Sequence, residues 1–146
     1  MSLQPLVCVE VGGGSGIIST ALSLQLPLSL FLVTEVNEKA CTAIQRTASH
    51  NGASVEVVRS RTLTGLAERL GHSVDLVLCN PPYVGTSEAE ASGATDITAA
   101  WAGGQRGLNV TMEVIDSLDN ILTDSGVAYI VLEKCNKPET VQKYVE

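Results

Sequence analysis

Apolar residues along this chain follow two rhythms. Short, nearly unbroken apolar runs occupy residues 6–11, 30–34, 55–58, 74–79 and 127–132. Runs of this length, rich in Val, Leu and Ile, predict strands buried on both faces. Helical signals fill the segments between them. Residues 17–26 predict a helix stopped by Pro27, whose ring and missing N–H end helices. Asn37 reads as the N-cap of a helix through about residue 49, with Asn51-Gly52 as its terminator. A short helix is expected over 63–70, ending at Gly71. Val110, Val114, Leu118 and Ile121 lie on one helical stripe over 109–122, and a last helix is expected after Pro138. Residues 84–107, rich in Ala, Gly, Ser and Thr, read as a long loop.

Alternating strands and helices predict an α/β fold: one domain over residues 1–146, with a mainly parallel, Rossmann-like sheet and helices on both faces. A ligand in such a sheet sits beyond the carboxyl ends of the strands, at the topological switch point. The glycine turn 12–16 follows the first apolar run, Glu35 the second and Asn80 the fourth. The fold therefore brings all three to one edge.

Composition narrows the classes. Apolar residues make up 45% and charged residues 17%, which predicts a globular chain. Aromatics are 3%, so the core must be aliphatic. Nine basic residues stand against 16 acidic ones, giving a net charge of −7 and no basic run. That balance argues against a nucleic-acid groove. Cys8, Cys41, Cys79 and Cys135 are widely spaced, with no C-x-x-C pair. They read as structural thiols in a reducing compartment, with no metal site. No signal peptide is expected, and the apolar stretch 17–33 is too interrupted by polar residues to span a membrane. The expected location is the cytoplasm, with the nucleus as a second compartment.

Three features carry candidate chemistry. The first is Glu10-Val11-Gly12-Gly13-Gly14-Ser15-Gly16, between strand and helix. Its G-x-G-x-G spacing lacks the third glycine of a dinucleotide fingerprint, and no Walker lysine follows. Glu10 either orients a bound amino group or holds the glycine turn through backbone N–H groups. The second is Glu35, whose carboxylate can accept both hydroxyls of a ribose; the plain alternative is a solvated acid ahead of the Asn37 helix. The third is Asn80-Pro81-Pro82-Tyr83. Two prolines after an Asn make a rigid corner. The Asn80 side-chain oxygen and a backbone carbonyl can each accept one N–H of a planar NH2 group, with the Tyr83 ring against its flat face. The plain alternative is a proline-rich turn that caps a strand.

With these motifs in place the chain resembles class I S-adenosylmethionine-dependent methyltransferases, and more closely the HemK/PrmC family of protein glutamine N5-methyltransferases. It is similar to the eukaryotic branch, which methylates a peptide-chain release factor. That branch carries a run seen here as Ala100-Trp101-Ala102-Gly103-Gly104, with Gly107 beyond. The resemblance implies that Glu10, Gly12, Gly14 and Gly16 wrap the methionine end of S-adenosyl-L-methionine and that Glu35 takes the ribose. Arg61 and Thr62 would flank the adenine. Arg61 stands where the family has an Asp and cannot accept a hydrogen bond, leaving adenine recognition to the backbone or Ser60. Asn80 and the Pro81 carbonyl would hold the substrate amide near the cofactor, with Pro82 and Tyr83 completing the corner.

The resemblance also implies a small zinc-binding activator subunit, in a heterodimer built by strand pairing. An upstream helical segment and a final antiparallel hairpin of the relatives have no counterpart in this sequence, which reads as truncated at both ends. Gly103-Gly104-Gln105 matches the methyl-accepting tripeptide of release factors, but reads here as part of the Trp101 loop. Two other functions compete. An adenine N6-methyltransferase would use the same Asn-Pro-Pro-Tyr corner, and a non-catalytic scaffold would explain Arg61.

Overall fold

A computed structural model describes residues 4–93 and 96–145. Five strands form one sheet: β1 (Val7–Val11), β2 (Leu30–Glu35), β3 (Glu56–Arg59), β4 (Val74–Cys79) and β5 (Leu122–Ile130). Their order is β3-β2-β1-β4-β5, and every neighbouring pair is parallel. The chain reverses its direction of travel across the sheet between β1 and β4. The switch point therefore lies at the carboxyl ends of those two strands. Glu10 pairs in register with Val33 of β2 and Leu78 of β4.

Among the described residues six helices accompany the sheet: α1 (Ile17–Gln25), α2 (Glu38–His50), α3 (Ala67–Leu70), α4 (Glu88–Gly93), α5 (Asn109–Ile121) and α6 (Pro138–Val145). Helix α1 packs with α2, and α3 with α5. A core cluster joins Val9, Val11, Val77 and Cys79 of the sheet to Leu63, Leu70, Val114 and Ile121. Each such side chain contributes roughly 1.5–3 kcal/mol by leaving water. The expected N-cap is present, with Asn37 Oδ1 accepting from Lys39 N–H at 2.9 Å and Ala40 N–H at 3.3 Å.

Helix α1 is inverted relative to an ordinary amphipathic helix. Its Ser19, Thr20 and Ser23 are buried, while Ile17 and Leu24 are 67% and 48% exposed. The reason lies beneath it. Glu10 on β1 is buried and takes the Ser19 backbone N–H at 3.1 Å and the Ser19 hydroxyl in a short contact. A buried carboxylate needs donors, and Ser19 supplies two; Ser23 instead donates to the Thr20 carbonyl at 3.0 Å, and the buried Thr20 hydroxyl has no partner among the described residues.

Three elements differ from expectation. The helix expected over 63–70 shrinks to the single turn of α3, because Gly65 adopts a left-handed φ of +76° and interrupts the preceding turn. The described parts of the loop 84–107 are structured. They hold α4, 3-10 turns at Ile97–Ala100 and Gln105–Gly107, and a parallel bridge between Val84 and Ala102. Strand β5 starts at Leu122, directly after α5, and ends at Ile130 rather than 132. An irregularity in its pairing with β4 absorbs the exposed Asp124 and Ser125.

At the amino end of the sheet Asp75 joins three strands' segments. Its Oδ2 accepts from Leu6 N–H at 2.8 Å and Val7 N–H at 3.1 Å, and its Oδ1 from the Thr123 hydroxyl at 3.2 Å. All four cysteines are free thiols. Burial pushes Cys8 up to about 11 and Cys79 up to about 12, so these two are inert apolar residues of the sheet. Among the described residues no group of His, Cys, Asp or Glu could hold a metal ion, and no helix is long and apolar enough to cross a membrane.

Candidate functional site

A cavity of about 1290 Å³ opens at the carboxyl ends of β1 and β4. Gly12, Gly13 and Gly14 form one wall, Glu35 and the start of α2 a second, and Asn80, Pro81 and Pro82 a third. Arg61, Ala91, Ile97 and Ala102 close the remaining side. The three features separated by tens of residues in sequence thus share one space.

The turn is fixed to β2 by Gly12 N–H and Gly13 N–H, which both donate to the Thr34 carbonyl, at 2.8 and 3.2 Å. Gly12 and Gly14 line the cavity at φ of +75° and +55°, and a Cβ on either would meet no atom. Backbone can therefore lie directly against a ligand there. Gly16 behaves differently from its expected role. It does not line the cavity; a Cβ on it would come within 2.8 Å of the Ile44 backbone on α2. Its small size lets the turn pack on α2.

The two carboxylates exchange one expected task. Glu35, rather than Glu10, holds the glycine turn: its Oε2 accepts from Gly14 N–H and its Oε1 from Asn37 N–H, both at 2.9 Å. Each oxygen keeps a second lone-pair site for a ligand. Glu10 instead anchors α1 through Ser19 and still lines the cavity. Burial raises its pKa above the usual glutamate range, the Ser19 hydroxyl and N–H oppose that, and the negative charge of Glu35 adds to it.

Asn80 is exposed at the rim, and its side chain makes no hydrogen bond with the described residues. Pro81 beneath it is buried. Tyr83 is half-buried but does not line the cavity, contrary to its expected place beside a bound amide. Its carbonyl accepts instead from Asn136 Nδ2 at 3.0 Å. The corner is coupled to the Trp101 run: Val84 N–H donates to the Trp101 carbonyl at 3.1 Å and Gly103 N–H to the Val84 carbonyl at 2.8 Å. The Asn-Pro-Pro-Tyr and Ala-Trp-Ala-Gly-Gly motifs are thus neighbours in space.

On the far wall Arg61 lines the cavity but is turned to protein partners. Its Nη1 donates to the Ala91 carbonyl of α4 at 3.2 Å, and its Nε lies 3.7 Å from Glu113 Oε1 of α5. Thr62 is buried, with its hydroxyl 3.3 Å from that of Thr64, and does not line the cavity. Ser60 Oγ donates to the Thr64 carbonyl at 3.2 Å and is likewise outside the lining. Of the expected site residues, Glu10, Gly12, Gly14, Glu35, Arg61, Asn80, Pro81 and Pro82 meet around the cavity, while Gly16, Thr62 and Tyr83 do not. Ile17, Ile18, Asn37 and Val110 also line it, though the sequence offered them no place in the site. The exposure of Ile17 and Ile18 follows from the inverted α1, which no apolar periodicity signals.

Known proteins match this chain closely. The family model "Methyltransferase small domain" matches residues 4–145. The protein "Methyltransferase HEMK2" of Homo sapiens is 36% identical over 141 residues, covering 96% of this chain and 65% of that protein. The "eRF1 methyltransferase catalytic subunit mtq2" of Schizosaccharomyces pombe is 34% identical over 151 residues, covering 95% of this chain and 64% of that protein. The chain thus spans just under two thirds of the length of these relatives. Among solved structures, a ribosomal protein L11 methylase from Lactobacillus delbrueckii subsp. bulgaricus superposes with a TM-score of 0.67 at 20% identity, over 97% of this chain and 59% of that one. At that identity the likeness bears on the fold. Since the family model accounts for nearly every residue, this chain belongs to the methyltransferase small domain family.

Proposed function

We propose that this chain is the catalytic core of an S-adenosyl-L-methionine-dependent protein glutamine N5-methyltransferase, acting on a peptide-chain release factor. The observation that carries the reading is that Asn80, whose side chain has no partner among the described residues, lines the same cavity as the glycine turn and two carboxylates. The relatives named for release-factor methylation support it.

The residues present fit an adenosine-bearing cation. Glu10 and Glu35 offer acceptor oxygens for an amino group and ribose hydroxyls, and the glycine backbone leaves room beside them. Arg61 donates to Ala91, and Ser60 to Thr64. Neither side chain is set to receive an adenine amino group, so backbone atoms take that task. S-adenosyl-L-methionine, when bound, supplies the electrophilic methyl group.

An amide nitrogen is a weak nucleophile because its lone pair is delocalised. The chain's contribution is therefore positioning. Asn80 Oδ1 accepts one N–H of the substrate amide and the Pro81 carbonyl the other. The two prolines hold both acceptors still. The net charge of −7 favours a protein acceptor over a nucleic acid. A small zinc-binding activator would add a strand at an edge of the sheet, which among the described residues is β3 on one side and β5 on the other.

The test is transfer of labelled methyl to a recombinant release factor, with and without such an activator, read by peptide mass spectrometry. The expected product is a singly methylated Gln in the Gly-Gly-Gln loop. Methylated adenine in an added DNA or RNA instead would replace this reading with the nucleic-acid one. No cofactor binding by calorimetry would leave a non-catalytic scaffold.

A further inference from the structure

Three segments that the sequence places far apart meet on one buried side chain, Asn136, which is 1% exposed. It lies in the 3-10 turn Lys134–Asn136 that follows β5. Its Nδ2 donates to the Tyr83 carbonyl at 3.0 Å, in the corner after β4, and to the Arg106 carbonyl at 2.8 Å, in the turn before α5. The Gly107 carbonyl lies at 3.5 Å. Its Oδ1 accepts from Glu133 N–H at 2.9 Å, which fixes the orientation of the amide.

The surroundings are held in conformations that backbone preference opposes. Arg106 and Lys137, neither of them glycine, take φ of +62° and +54°. Such residues persist where the surrounding contacts over-determine them, and they cluster at functional sites. Packing leaves no slack: a Cβ on Gly107 would fall 2.0 Å from the Tyr83 carbonyl oxygen and 2.8 Å from Asn136 Nδ2. Asn136 itself does not line the cavity.

We infer that Asn136 is a positioning residue, which holds the Asn80-to-Tyr83 corner in place through the Tyr83 carbonyl and so sets where the acceptor amide sits. The role rests on the function proposed above. Asn80 and Pro81 would touch the substrate, and Asn136 would act on them through the corner. An amide is required here because the side chain must donate to carbonyls on one side and accept an N–H on the other. A carboxylate would keep the acceptor and set a negative charge against the carbonyls of Tyr83 and Arg106.

The experiment compares wild type, Asn136→Asp, and Val141→Ala as a matched control. Val141 is buried in α6, where it borders a cleft with Leu118 and Ile130 and does not line the main cavity. For Asn136→Asp the expected acceptor turnover falls about 100-fold, while the S-adenosyl-L-methionine Kd stays within about threefold. Hydrogen exchange at the Val84 and Gly103 amides, which close the corner, speeds up about tenfold or more, and the β1–β4 ladder is unchanged. Val141→Ala lowers the Tm as much or more and keeps kcat.

Retained turnover and exchange in Asn136→Asp would overturn the inference. So would equal losses in turnover and cofactor affinity, or equal losses in Val141→Ala. If Asn136→Asp does not fold, Asn136→Ser, which keeps one donor, carries the comparison; failure of both beside a folded Val141→Ala would show a residue of the general fold and overturn the inference. The exchange readout needs no substrate, so it still judges Asn136 if the wild type proves inactive on release factors.

Discussion

Glu10 combines two demands that pull against each other. It must be buried to reach Ser19 and shape the start of α1, yet burial disfavours its charged form. Its pKa in the folded chain therefore lies above the unfolded value. Folding favours the protonated acid, so that contribution is fully present below about pH 4.3, the unfolded pKa. It is lost as pH rises through the folded pKa. Glu10→Gln keeps an acceptor for Ser19 and never ionises. Its Tm should accordingly gain on that of wild type as pH rises from 4 to 8, by thermal unfolding on the ligand-free protein. A difference that stays constant across this range would mean that Glu10 is not held by burial. The same substitution should weaken S-adenosyl-L-methionine binding, because a neutral amide is a poorer partner for an amino group.

Elements, rather than residues, decide how the site is assembled. Apolar runs located all five strands: the central β1 and β4 and their neighbour β2 are largely buried and carry an unbroken signal, while the edge strands β3 and β5 are apolar yet have no fully buried residue. Asn37 and Pro138 likewise marked true helix starts. Placement of Glu35 and Asn80 at strand ends followed from those runs alone. Other parts of the site left no such trace. Helix α4, which brings Ala91 to the cavity, is tied down by Glu88 accepting from Gln105 N–H and Asn109 Nδ2, each at 2.9 Å. Those partners lie 17 and 21 residues away, beyond any local periodicity. Gly16, Thr62 and Tyr83 sit next to site residues in sequence but turn to packing or to other loops, which motif spacing does not register.

Asp75 shows the same logic at the opposite end of the sheet. Hydrogen bonds from Val7 N–H and Leu6 N–H, with a smaller one from Thr123, lower its pKa. A lowered pKa contributes stability above the unfolded value, about 3.9, that is lost as pH falls through the folded value. Asp75→Asn should therefore lower the Tm at pH 7, and the deficit should shrink as pH falls below the unfolded value of about 3.9. A deficit that persists undiminished in acid would show that shape, not charge, is what Asp75 supplies to β1 and β4.

Across the whole molecule, the parallel sheet gathers chemistry at one edge and leaves the opposite edge to structure. Glycine turn, Glu35 and Asn80 come from the ends of β1, β2 and β4, around a single cavity. In the proposed function one wall would take an adenosine-bearing cation and the other a planar amide. This division of labour is the central claim, and Asn80→Ala separates its two halves. Calorimetric titration with S-adenosyl-L-methionine should give a Kd within about threefold of wild type, while methyl transfer to a release factor falls on the order of 100-fold or more. Equal loss of cofactor affinity and turnover, or turnover that survives the substitution, would contradict it.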